Sequence, residues 1–129
     1  MRRSDEGRGD HGSAVVEFAL VAPLVLLLAL AVVQVALVLE VRATLTSAAA
    51  EGARAAALAG ADPAAGVRRA RTLLSQNVAA SVVRQVSAVR ATVHGLPVMA
   101  VRIEATLPLV GLLGPSTMTV VGHALQEAQ

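Results

Sequence analysis

The sequence predicts an α+β chain: a long N-terminal transmembrane helix extending into a stem, a second helix, and a small antiparallel sheet of about three strands. Three observations predict it. Phe18 to Leu39 is an unbroken run of 22 uncharged residues. Helix-forming sequence continues on both sides of a single break at Gly60 to Pro63. After residue 86 the apolar period falls to two, most cleanly through 99–107.

The elements follow in chain order. Residues 1–12 (MRRSDEGRGDHG) are polar and Gly-rich and read as a disordered leader. Arg2, Arg3 and Arg8 are offset there by Asp5, Glu6 and Asp10. In the run that follows, Gln34 is the one strongly polar residue, and Pro23 sits a turn inside. At 1.5 Å per residue, 22 residues of helix reach roughly 33 Å, about the thickness of a bilayer core. A core helix of a soluble protein would show a polar face, and this run has none. Arginine near the ends favours a cytoplasmic N-terminus: three precede the span, while Arg42 and Arg54 follow it.

Residues 40–59 contain no Pro and are rich in Ala, the best helix former, so the helix is expected to continue as a stem. Glu51 and Arg54, three apart, can pair on one face. Ala49, Ala50, Ala53, Ala56 and Ala57 form a smooth stripe that lets another backbone come close. Gly60-Ala61 should end this helix. Asp62-Pro63 offers an N-cap followed by Pro at the first helical position. A second helix is expected from Pro63 to Ala80, burying Val67, Ala70, Leu74 and Val78.

Strands are expected at 86–94, 99–107 and 117–125. The first puts Val89, Ala91 and Val93 on one face. The second puts Met99, Val101, Ile103, Ala105 and Leu107 on one face, with Arg102, Glu104 and Thr106 opposite. Gly95-Leu96-Pro97 is the expected turn between them, and 108–115 (PLVGLLGP) is an apolar connector. The predicted organisation is therefore a cytoplasmic leader at 1–12, a transmembrane helix at 13–39, a stem at 40–60 and an exported domain at 61–129.

Composition limits the function classes. The 129 residues are 55% apolar, yet include one Phe, no Tyr and no Trp. Such small side chains bury little area each, which disfavours a free-standing enzyme. The net charge is +2, and basic residues are not interleaved with aromatics, so nucleic acid is not an expected partner. Without cysteine there is neither disulfide nor thiolate metal site, and His11, His94 and His123 lack metal-ligand spacing. No Ser-His-Asp set, phosphate loop or paired acids are present. His94 and His123 are expected on solvated strand faces. Neither catalysis nor a cofactor is expected.

One local motif is specific. Gly12-Ser13-Ala14-Val15-Val16-Glu17-Phe18 stands directly before the apolar run. Gly has no side chain to obstruct an extended backbone. Glu17 at the edge of an apolar helix is costly to bury and needs a compensating charge. An amino group about 4 Å away would contribute ~4 kcal/mol at an effective dielectric near 20, before desolvation.

This arrangement resembles the processing site of type IV prepilins. The resemblance implies cleavage by a membrane prepilin peptidase after Gly12, with Ser13 as the first mature residue and Glu17 as the fifth. It implies that Glu17 meets the new α-amino group of a neighbouring subunit. More narrowly, the chain is similar to the TadE-like proteins, minor pseudopilins of the tight-adherence pilus system. Val16-Glu17-Phe18-Ala19-Leu20 and Pro23 carry one part of that similarity. Glu51-Gly52-Ala53-Arg54, within Ala48 to Ala57, carries a second. An alternating strand, then Gly114 to Ala124 with Thr117, Thr119 and Ala124, carries a looser third.

The family implies a pilin-like chain in the inner membrane that assembles a pilus or a related secretion machine. Its partners would be membrane lipid, other pilin and pseudopilin subunits, the Tad inner-membrane machinery and the peptidase. Two other readings stand beside it. One is a membrane-anchored binding protein that never enters a filament. The other is a secreted protein cut at Ala29-Leu30-Ala31, although the apolar run continues through Val32-Val33 beyond that site.

Overall fold

The structure is a computed structural model and describes residues 9–58, 60, 62–77, 81–107 and 114–126. The chain is α+β, in the order α1 (Gly9–Leu58), α2 (Pro63–Ser75), β1 (Val83–Val93), β2 (Leu96–Leu107) and β3 (Ser116–Leu125). It divides into two compact units, Met1–Ala36 and Leu37–Gln129, the second called the head below.

In the first unit, α1 already begins at Gly9. Residues 9–12, expected in an irregular leader, are helical. Asp10 in the first turn supplies the reason: a carboxylate there is stabilised by the unpaired N–H groups of the helix start. Residues 1–8 lie outside the described residues. Pro23 stays inside the helix. It lacks an N–H, so the Ala19 carbonyl loses its usual donor without ending the element. The apolar stretch is long enough to cross a bilayer, and none of it is buried against protein. Phe18, for example, is 72% exposed. A soluble core helix would be mostly covered, so this burial pattern is consistent with membrane anchoring.

In the head, the remainder of α1 and all of α2 lie on one face of the sheet. The strand order is β1-β2-β3, both pairs antiparallel. Leu45, Ala48, Ala49, Ala53 and Ala56 of α1 are buried, at steps of three and four. Leu45, Ala48, Ala49 and Ala53 meet Val101, Ile103 and Ala105 of β2, Val86 of β1 and Val120 of β3 in one cluster. The small-residue stripe thus admits another backbone, and that backbone belongs to the same chain. Ala50 and Ala57, expected on it, are half-buried at its margin.

Three glycines set the spacing. A Cβ on Gly52 would lie 2.9 Å from the Gly66 carbonyl oxygen and 3.1 Å from the Ala70 Cβ. A Cβ on Gly66 would lie 2.9 Å from the Ala56 Cβ. A Cβ on Gly122 would run into the backbone of Ala49 and Ala50. Gly52 and Gly66 let α1 and α2 approach, and Gly122 lets β3 lie directly under α1.

Several expectations move. Gly60, with φ 70°, takes the left-handed geometry that closes α1; Ala61 is outside the described residues. The Asp62 side chain caps α2 by accepting from the Ala64 N–H at 2.9 Å, with Pro63 next. Ala70 and Leu74 are buried, Val67 is partly buried, and Val78 lies outside the described residues. Helix α2 ends at Ser75 instead of Ala80. Two polar side chains explain the stop: Asn77 Nδ2 donates to the Leu73 carbonyl at 2.8 Å and Ser75 Oγ donates to that of Thr72. Local bonds of this kind compete with further helix.

The hairpin turns at His94-Gly95, not at Gly95-Leu96-Pro97. Both residues have positive φ, 51° and 79°, the requirement of a two-residue primed turn. Leu96 and Pro97 are already paired with Val93 and Thr92. His94 is therefore in the turn and not on a strand face. In β1 the core face belongs to Val86 and Ala88, while Val89 is 57% exposed. A bulge causes the switch: the register steps from Val83 opposite Ala105 to Gln85 opposite Glu104, which exchanges odd and even positions. Of the connector 108–115, residues 108–113 lie outside the described residues.

Candidate functional site

The residues singled out in the sequence fall at two places on α1. Gly12, Ser13, Glu17, Phe18 and Pro23 stand at the start of its apolar stretch, all exposed. Ser13 and Glu17 are four apart, so they share one helix face. Among the described residues no side chain pairs with Glu17. The Gly12–Ser13 bond is helical, and nothing lies within 4 Å of where a Gly12 Cβ would be. A protease that binds an extended strand would have to unwind this turn. Gly lowers that cost, since it is about 1 kcal/mol less favourable than Ala in a helix.

Glu51, Gly52, Ala53 and Arg54 are in the head and divide by face. Gly52 and Ala53 point inward: Gly52 faces α2, and Ala53 is wholly buried. Glu51 and Arg54 point outward and form an ion pair at 2.6 Å. Both are substantially exposed, so the pair adds little stability. This motif and the Glu17 region belong to different units of the chain. Each is a different stretch of one helix.

Two features escaped the sequence reading. Gly66 and Gly122 were not marked as contact glycines. Gly66 lies in a helix that already reads well by its apolar period. The partner of Gly122 is more than seventy positions away in sequence, and no local pattern encodes that distance. Arg71 and Arg84, which no sequence motif singled out, line a common groove with Ser75 and Gln85. Among the described residues, no three His, Cys, Asp or Glu side chains could hold a metal ion together.

Comparison with known families matches residues 12–54 to the family described as TadE-like protein. The matched segment opens on Gly12, contains Glu17, Phe18 and Pro23, and closes on Arg54. It covers 43 of 129 residues, a third of the chain. The looser third stretch, Gly114 to Ala124, is outside it. No curated protein and no solved structure gives a match.

Proposed function

Taking residues 12–54 as a TadE-like segment, we propose that this chain is a minor pseudopilin, processed after Gly12, that takes part in assembling a tight-adherence pilus or a related secretion machine. Its N-terminus is cytoplasmic, α1 crosses the inner membrane once, and the head is outside. The observation that carries the reading is the position of the motif. Gly12, Ser13, Glu17 and Phe18 sit where an uncovered apolar helix begins, and all four fall within the family match.

In this reading, cleavage serves assembly. It removes the charged leader and leaves a cationic amino group on Ser13. Glu17 of a neighbouring subunit then gains a partner when the helices dock in register. A carboxylate left unpaired in hydrocarbon disfavours any other register, so Glu17 reports correct docking more than it adds stability. Ala14, Val15 and Val16 give the helix side chains that a neighbour can pack against.

The test separates processing from assembly. Gly12→Val should leave the full-length precursor in the membrane, seen as a slower band on a gel. Glu17→Ala should be cut like the parent chain and still abolish or strongly reduce surface pili. Normal piliation with Glu17→Ala would contradict the proposed role. Normal function of both variants would favour an anchored binding protein outside any filament.

A further inference from the structure

Basic and acidic residues are segregated along the chain. Residues 63–103 hold Arg68, Arg69, Arg71, Arg84, Arg90 and Arg102, and all nine acids lie outside that stretch. The net charge of +2 conceals this.

Two of these arginines share a groove. Arg71 of α2 and Arg84 of β1 line a cavity of about 270 Å³ with Ser75, Gln85, Leu74 and Val86. Arg84 is the bulged residue of β1, with no register partner opposite, and bulges re-aim side chains. Its Nε donates to Thr106 Oγ1 at 3.1 Å. That bond holds one edge of the guanidinium and leaves the terminal nitrogens for an outside acceptor. Among the described residues no carboxylate pairs with Arg71 or Arg84; the ion pairs there are Glu51–Arg54 and Asp62–Arg68.

A second groove relates the end of α2 to α1. Leu73, in the last turn of α2, and Asn77 beyond it border that groove with Ala43, Thr44, Ser47, Ala48 and Glu51 of α1. Those α1 residues follow Leu39 by four to twelve positions, about 6–18 Å of helix rise, with Ala43 and Thr44 the nearest to it. The headgroup layer on each side of a bilayer is about 5–8 Å thick. Arg42, exposed on α1, lies just before the same level.

We propose that the Arg71–Arg84 groove binds the phosphate groups of anionic lipids in the bilayer that α1 spans, docking the head on the membrane surface. The inference rests on α1 spanning the membrane and is independent of any role in a pilus. Guanidinium groups pair bidentately with phosphate, and two arginines lining one groove supply the positive charge that a headgroup phosphate needs. A chain whose α1 spans that bilayer meets its lipids without separate recruitment.

The chain has no cysteine, so Thr72→Cys on the exposed face of α2 takes a single fluorophore. Full-length protein is placed in phosphatidylcholine vesicles, with or without phosphatidylglycerol, that carry a headgroup quencher. Flotation at high salt first reports insertion; failure there would overturn the spanning premise and is read separately from quenching. The expected result is quenching that depends on phosphatidylglycerol and is reversed by salt. Arg71→Gln with Arg84→Gln should lower the docked-to-undocked ratio roughly 30-fold, with an unchanged far-UV spectrum, and Arg102→Gln should have little effect. Equal quenching in both vesicles, or parental quenching by the double variant, would overturn the proposal. Displacement by inorganic phosphate at matched ionic strength would reassign the groove to a soluble anion. Binding of polyglutamate without lipid-dependent quenching would reassign it to an acidic protein.

Discussion

Gly122 shows how much one residue can decide. It sits on the inner face of β3, and the Ala49–Ala50 backbone of α1 occupies the space a side chain would need. Gly122→Ala should cost about 1–3 kcal/mol, since overpacking here presses on backbone that cannot rotate away. The measurement is thermal unfolding of the full chain in detergent, followed by the strand signal. Gly52→Ala sets two effects against each other. Ala gains about 1 kcal/mol of helix propensity, but its Cβ would press on the Gly66 carbonyl at 2.9 Å. The carbonyl cannot yield without moving α2, so the variant should be less stable than the parent. Gly52 stood out in sequence because it belongs to the Glu51-Gly52-Ala53-Arg54 segment that carries part of the family similarity. Gly122 did not, because a Gly near the end of a strand is common and its neighbour on α1 is set only by the fold.

At the level of elements, local chemistry was readable wherever one residue type fixes one geometry. Asp62-Pro63 begins α2 as that pair requires. Asp62→Ala should lower stability by about 1 kcal/mol, checked by the same melt. The errors have physical causes. Val86 and Ala88 compete with Val89, Ala91 and Val93 for the core, and apolar residues at both parities leave alternation undecided. The bulge at Arg84, invisible in composition, resolves it. The turn was misplaced because Leu-Pro punctuates a sequence strongly, whereas His in a left-handed conformation does not. His94→Val should destabilise the hairpin, as a β-branched side chain resists the φ of 51°. His94→Asn should be neutral or stabilising, which Gly95 alone would not explain.

Across the whole molecule, the α+β class and the order of elements were legible because the apolar period changes twice, from continuous to helical to alternating. The candidate region at Gly12 to Phe18 was legible as a motif, and its helical state was not. Charge placement was missed for the opposite reason: a small net charge averages away a stretch of 41 residues without one acid. The small-residue stripe of the stem was read as a surface for another backbone, and the head of the same chain covers it. Packing between subunits, if the chain assembles, therefore falls to the uncovered apolar part of α1 and to the outside of the head. Glu17 stands at the entrance to that apolar part.

The central claim is that Gly12 ends a leader and Ser13 begins the mature chain. The direct measurement is the N-terminal residue of the protein isolated from its native membrane, by sequencing or by mass spectrometry of the terminal peptide. The account predicts Ser13, and it predicts Met1 when the prepilin peptidase is deleted. Met1 in the wild-type cell, or Val32 from cleavage inside the apolar run, would contradict it.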